Sequence, residues 1–264
     1  MSERKKHIIG LCGGSGAGKG VVAGIFRLHG AKVIDCDELA RKVVSVGTPA
    51  LAEIFGAFGL EYRLPDGSLD RSRMAQLIYA SPSARKKLEH ITHPKIFDEI
   101  RKIIAVTDGV IVIDAPLLFE AGVDELCDCI VGVIADKQTR IERVTARDSI
   151  SEERAKARID AQMSDELLIQ RCDYTVTNNG SLAELDESVR EILKANEGKA
   201  GDICRCGNHR HARGSLGSGN SAHIKACATK HTPAEVPRHR GNNSGRVRCA
   251  AGDRACRDKN RKLI

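Results

Sequence analysis

The stretch Ile8–Val22, "IIGLCGGSGAGKGVV", decides how the rest of the chain is read. Its apolar half stops at Gly13 like a buried strand, and after Lys19 the residues Val21, Val22, Ile25, Phe26 and Leu28 recur at helical spacing until Gly30. Strand, glycine loop and helix, in that order, form a phosphate-binding loop. Gly13, Gly14, Gly16 and Gly18, with Ser15 and Ala17 between them, let the backbone curl so that successive N–H groups and the following helix's N-terminus aim at phosphate oxygens. Lys19 brings a positive charge to the β and γ groups. One position departs from the usual pattern. A Ser or Thr hydroxyl directly after the lysine normally ligates magnesium, whereas Gly20 stands here and Val21 has no hydroxyl either. Magnesium is then expected to be held by phosphate oxygens, waters and carboxylates, with weaker affinity, an arrangement open to an ion that keeps several waters.

Working outward, "AKVIDCDELARKVV" begins with a short strand, Lys32–Asp35, and passes into a helix whose first turn holds Asp37 and Glu38. Residues 40–105 read as helix, broken at Gly47–Pro49, Leu64–Ser68 and Ala80–Ser83, and form an insertion rather than another βαβ repeat. The parallel pattern resumes in "DGVIVIDAPLLFEAG" and "CDCIVGVIAD", β-branched runs suited to strands covered on both faces. A charged helical region follows, and "DYTVTNNG" is a last short strand. Strands alternating with helices, with Gly-rich turns at their carboxyl ends, predict an α/β fold built on a doubly wound parallel sheet.

Composition divides the chain in two. Residues 1–195 carry 27 Lys plus Arg against 30 Asp plus Glu, while residues 196–264 carry 15 against 5, so the overall charge of +7 comes from the tail. That tail has no aromatic residue and only seven Ile, Leu or Val, too little apolar surface to offset chain entropy, and disorder is expected. Its Cys204, Cys206, His209 and His211 prompt a zinc reading although Cys-x-Cys and His-x-His spacings fit no finger pattern, and its charge prompts a nonspecific nucleic-acid reading without a recognition module. A segment without selected function is the third reading. No apolar run approaches the ~20 residues of a membrane span, and a cytoplasmic protein with reduced, buried cysteines is expected.

Two acids are placed to complete a phosphoryl-transfer site. Asp37, just past the second strand, is either the group that takes a proton from an attacking hydroxyl or a helix N-terminal acid stabilised by the dipole. Asp114, ending "VIVID", either reaches magnesium through water or caps the turn at Pro116. Arg143 and Arg147 share one helix face, as do Arg158 and Gln162, and serve the transferring phosphoryl group if this region folds over the nucleotide as a lid.

The order "GLCGGSGAGKG", "VIDCDELAR", "HITHPKIF", "VIDAPLLFEAG", "RVTARDSISEERAKARIDAQ" and "DYTVTNNG" resembles the bacterial dephospho-coenzyme A kinase family, a branch of the P-loop kinases, over about residues 7–195. The resemblance implies transfer of the γ-phosphate of ATP to the ribose 3′-hydroxyl of dephospho-coenzyme A, with Mg²⁺. It implies that Gly13 to Val21 bind ATP with Arg158, that Lys19, Asp37, Arg143 and Arg147 are catalytic, and that residues 137–170 form the lid. The insertion, with Asp37, His93 and the Pro116, Leu117, Leu118 and Glu120 stretch, corresponds to the acceptor site; His93 reads alternatively as a helix-start residue before Pro94. The rivals are a nucleoside or nucleoside-monophosphate kinase with the same loop, and a basic nucleic-acid- or zinc-binding module acting through the tail.

Overall fold

The computed structural model describes residues 6–196, so the disorder, zinc and nucleic-acid expectations for the tail lie outside the described residues. Five strands, β1 (His7–Gly13), β2 (Lys32–Asp35), β3 (Val110–Asp114), β4 (Cys129–Ile134) and β5 (Tyr174–Thr177), make one parallel sheet in the order β2-β3-β1-β4-β5. Each falls where the sequence pattern puts a strand. The helices are α1 (Lys19–Leu28), α2 (Cys36–Val43), α3 (Pro49–Phe58), α4 (Arg71–Ala80), α5 (Pro82–Val106), α6 (Lys137–Asp148), α7 (Glu152–Asp160), α8 (Asp165–Arg171) and α9 (Leu182–Asn196).

Alternation along the strands sorts the core into two layers. Ile9, Leu11, Val112, Val131, Val133 and Val176 face α1 and α9, where Val22, Phe26, Leu185, Val189 and Ile192 meet them. Ile111, Ile113, Ile130 and Cys12 face the other way, onto Leu39 of α2, Ile100 of α5, Leu118 and Leu168 of α8. Both faces are covered, as a parallel sheet requires. Phe26 is wholly buried, so Phe26→Ala removes a ring whose loss typically costs about 3–5 kcal/mol.

The insertion has its own core, in which Val43, Leu51, Ile54, Leu69, Met74, Ile78 and Ile91 pack together. The breaks between α3, α4 and α5 coincide with the Gly, Pro and Ser clusters, and Thr48, Asp70 and Ser81 cap the helices that follow. Pro94 does not start a helix. Helix α5 runs unbroken through it, which corrects the reading of His93 as a helix-start residue; packing of Ile91, Ile96 and Ile100 on two cores offsets the hydrogen bond that proline removes. Helices α6 and α7 close over a small cluster of Ile141, Val144, Ala155 and Ile159.

Helix α9 was not foreseen. Its signal is Leu185, Val189 and Ile192 at helical spacing behind a reciprocal cap, Ser181 accepting from Glu184 N at 3.4 Å and Glu184 accepting from Ser181 N at 3.3 Å. Among the described residues no helix is long and apolar enough to cross a membrane.

Candidate active site

Strand β1 ends between β3 and β4, the place where chain order reverses and where open parallel sheets bind ligands at their carboxyl ends. From Gly13 the chain turns through Gly16 (φ 79°) and Gly18 (φ 91°), left-handed values that favour glycine, and enters α1. The N-terminus of α1 differs from most of its neighbours. Asp35, Thr48, Asp70, Ser81, Ser151 and Ser164 each place an oxygen on the amides of a following helix, whereas Gly18 offers none. The first amides of α1 therefore retain donors for an anion.

Lys19, the first residue of α1, pairs through Nζ with Oδ1 of Asp114 at the end of β3. Burial raises the Asp114 carboxyl above the usual Asp range; Lys19 pulls it back, and the negative charges of Asp35 and Asp37 push it up again. Three acids and the lysine thus share one electrostatic neighbourhood at the carboxyl ends of β2 and β3, where Asp35 and Asp114 are register partners. The fold assigns the two acids of "DCD" different work. Asp35 is the N-cap of α2, accepting from Glu38 N at 3.0 Å, while Asp37 is exposed in the first turn. Between them, burial and the neighbouring carboxylates push the Cys36 thiol up to about 12, which leaves it protonated and a poor nucleophile.

Residues of α6, of the turn after α7 and of the segment just past β5 grip the loop from outside. Arg143 donates to Gly16 O at 3.3 Å and to Asn178 O at 3.2 Å, and Asn178 donates to Ala17 O at 2.8 Å. Gln162 accepts from Ser15 N at 2.7 Å and donates to Ser15 Oγ at 3.0 Å. Arg147 lies on the same helix as Arg143 but points to a different partner, Asp148, whose Oδ2 also receives Arg158 Nη1 at 2.7 Å. Those hydrogen bonds and charges, Arg147 first, hold the Asp148 carboxyl below its usual range.

Two residues of this arrangement were not singled out in the sequence. Arg140, 3% exposed, reaches Ser15 O at 3.0 Å, and Asn178 is buried against the loop. The glycines carried an unread signal, because a Cβ at Gly14 would lie 2.2 Å from Arg140 Nη2 and one at Gly18 1.9 Å from Asn178 Nδ2. They give room as well as curvature.

At position 20 an added Cβ meets nothing within 4 Å, while Val21, 44% exposed, lines a pocket of about 310 Å³ with Gly18, Arg143, Asn178, Gly180 and Leu182. Position 20 therefore has room for the hydroxyl it lacks, and position 21 faces a different feature. For magnesium, the carboxylate nearest Lys19 is Asp114, an oxygen donor of the hard kind this ion takes.

On the acceptor side, Pro116, Leu117 and Glu120 are exposed in the turn after β3. Leu118 is not: it is fully buried, with its methyls under Gly10, so the expectation that it contacts the acceptor is corrected to support of the turn from below. Phe119 is covered by the guanidinium of Arg171, 3.8 Å from the ring centroid. His93 is half-buried in the middle of α5.

The family model for dephospho-CoA kinase (CoaE) matches residues 7–184. A dephospho-CoA kinase of Geobacter sulfurreducens is 43% identical over 190 residues, covering 70% of this chain and 96% of the relative. One from Syntrophotalea carbinolica is 40% identical over 190 residues, covering 70% and 90%. The solved structure of the dephospho-CoA kinase from Campylobacter jejuni superposes with a TM-score of 0.56 at 26% identity, covering 74% of this chain and 98% of that one. With a glycine loop gripped by Arg140 and Arg143 of α6 at the switch point of a five-stranded parallel sheet, and with these matches running through all of its strands, the chain belongs to the dephospho-CoA kinase family.

Proposed function

We propose that this chain transfers the γ-phosphate of ATP to the 3′-hydroxyl of dephospho-coenzyme A, releasing coenzyme A and ADP, the last step of coenzyme A biosynthesis, and that it does so in the cytoplasm. The observation that carries this reading is the convergence of Lys19, Asp114 and the exposed Asp37 at the carboxyl ends of β1, β3 and β2, between a phosphate loop and a helical insertion with its own core.

In this reading, residues 1–195 are the kinase unit, 40–105 the acceptor-binding insertion and 137–170 the lid. The amides of Gly16 and Gly18, the first amides of α1 and the Lys19 ammonium hold the β- and γ-phosphates, and the pocket beside Val21, Arg143 and Asn178 takes the base. The acceptor lies against Asp37, His93, Pro116, Leu117 and Glu120. Its 3′-oxygen forms a bond to Pγ as the bond from Pγ to the bridging oxygen of ADP breaks, and Asp37 receives the hydroxyl proton. Lys19, Arg143, Arg147 and Arg158 stabilise charge spread over the transferring group, the two last kept together by Asp148. Asp114 is the residue that would hold Mg²⁺, through water, and the ion would supply positive charge to the phosphates of ATP.

The test is product identification by mass spectrometry after incubating the chain with ATP, Mg²⁺ and dephospho-coenzyme A, beside tubes holding AMP or nucleosides. Coenzyme A and ADP are expected in the first tube alone. Phosphorylated product only in an AMP or nucleoside tube overturns the acceptor.

A further inference from the structure

Three consecutive carbonyls of the phosphate loop each receive a side-chain donor from outside the loop. Ser15 O takes Arg140 Nε at 3.0 Å, Gly16 O takes Arg143 Nη1 at 3.3 Å, and Ala17 O takes Asn178 Nδ2 at 2.8 Å. In a planar trans peptide the C=O and the following N–H point in opposite directions. Anchoring those oxygens outward therefore turns the N–H groups of Gly16, Ala17 and Gly18 toward the opposite side. Ala17 N closes the loop's own turn onto Gly14 O at 3.1 Å, which leaves Gly16 and Gly18 to face a phosphate.

Arg140 is the most heavily engaged of the three donors. It is 3% exposed, and each of its nitrogens has a partner: Nε on Ser15 O, Nη1 on Asp165 Oδ1 at 2.8 Å, and Nη2 on Gln162 Oε1 at 3.4 Å. Gln162 in turn holds Ser15 through both N and Oγ, so every polar group of Ser15 is tied to α6 or to the turn between α7 and α8. The loop is shaped to admit this. A Cβ at Gly16 would approach Arg140 O to 2.5 Å, and one at Gly14 would meet its guanidinium. A buried guanidinium is costly unless paired and fully hydrogen-bonded, and Asp165 supplies the compensating charge.

We propose that Arg140, braced by Asp165 and Gln162, is a positioning residue for ATP: it fixes the Ser15–Gly16 peptide so that the loop presents its amides to phosphate, and it ties the lid helices to the loop. The inference rests on the phosphoryl-transfer reading of the site and adds to it residues outside the phosphate and acceptor contacts. Lys in place of Arg keeps the charge but loses the planar fork that reaches three acceptors at once.

The test compares full-length wild type, Arg140→Lys and Asp165→Asn for MgATP binding by calorimetry, steady-state constants for ATP and dephospho-coenzyme A, and melting temperature. For Arg140→Lys, kcat/KM for ATP is expected to fall about tenfold or more, the scale of a lost charged hydrogen bond, while KM for dephospho-coenzyme A stays within about twofold. Asp165→Asn keeps the size of the side chain and an oxygen for Arg140 at a partly exposed position, and is expected to shift the ATP constants in the same direction by about three- to tenfold. If Arg140→Lys does not fold, Asp165→Asn decides alone. ATP constants within about twofold of wild type, with only the melting temperature lowered, overturn the proposal by making the network merely structural. Equal losses toward both substrates overturn it too. Calorimetry with MgATP needs no acceptor, so a wild type that binds ATP without making coenzyme A refutes the acceptor assignment and leaves this test standing.

Discussion

The nucleotide side and the acceptor side of the site are built differently. Around Ser15 to Ala17, three successive loop carbonyls and the Ser15 amide are matched to Arg140, Arg143, Asn178 and Gln162. Around the proposed acceptor, Asp37, Pro116, Leu117 and Glu120 are exposed on a helix start and a turn, over a core held by Leu118 and Ile100. The first side is pre-organised, because a backbone that binds phosphate must have its amides aimed beforehand. The second, in the proposed function, offers exposed groups without such a network of partners. Losses on the first side should therefore appear in ATP constants, and losses on the second in the chemical step or the acceptor constants.

The largest effects test both halves at their centres. Lys19→Ala should lower turnover at least ~100-fold by removing a charge that grows in importance at the transition state, and weaken ATP binding as well. Asp37→Asn should lower kcat by at least ~100-fold while ATP affinity, measured by calorimetry, stays unchanged. Near-normal turnover in Asp37→Asn would take that acid off the catalytic list and return it to the role of a helix-start charge.

A sharper pair compares two glycines. Gly14→Ala should reduce kcat/KM for ATP by about tenfold, since its methyl must displace the Arg140 guanidinium, whereas Gly20→Ala, with nothing within 4 Å, should leave it unchanged. Equal behaviour of the two would mean that the loop yields without cost. Gly20→Ser should raise stability by no more than about 0.5 kcal/mol, since serine recovers only part of the gain that alanine gives over a helical glycine, and lower the Mg²⁺ concentration needed for half-maximal rate. An unchanged magnesium titration would show that acids and phosphate oxygens already fill the coordination shell.

The smallest effect concerns the proposed lid. Asp148 has its carboxyl held low by Arg147 and Arg158, so its contribution is fully present above the ordinary Asp range and is lost as pH falls through the lowered folded value. Limited proteolysis between residues 137 and 171 should accelerate in acid for wild type; in Asp148→Asn the segment should be cut faster at neutral pH, with little further change on acidification.

Much of this was legible because it rests on local rules. All five strands, the breaks at Gly47–Pro49, Leu64–Ser68 and Ala80–Ser83, and the turn from β1 into α1 follow from periodicity and from glycine and proline chemistry. Helix α9 was legible too, through Ser181, Glu184 and the Leu185–Val189–Ile192 stripe, but went unread. At Pro94 the local preference of proline for a helix start is outweighed by apolar contacts on both sides along α5.

The sequence by itself determined the loop, the sheet class and the acids at the strand ends, because each is encoded within a few residues of itself. It took the tertiary structure to place Leu118 in the core beneath Gly10 and to bring Arg140 rather than Arg147 to the loop. Those assignments join residues more than a hundred positions apart, as Arg140 and Ser15 are, and which guanidinium meets which carbonyl depends on how α6 approaches the glycines. No spacing along the chain carries that information.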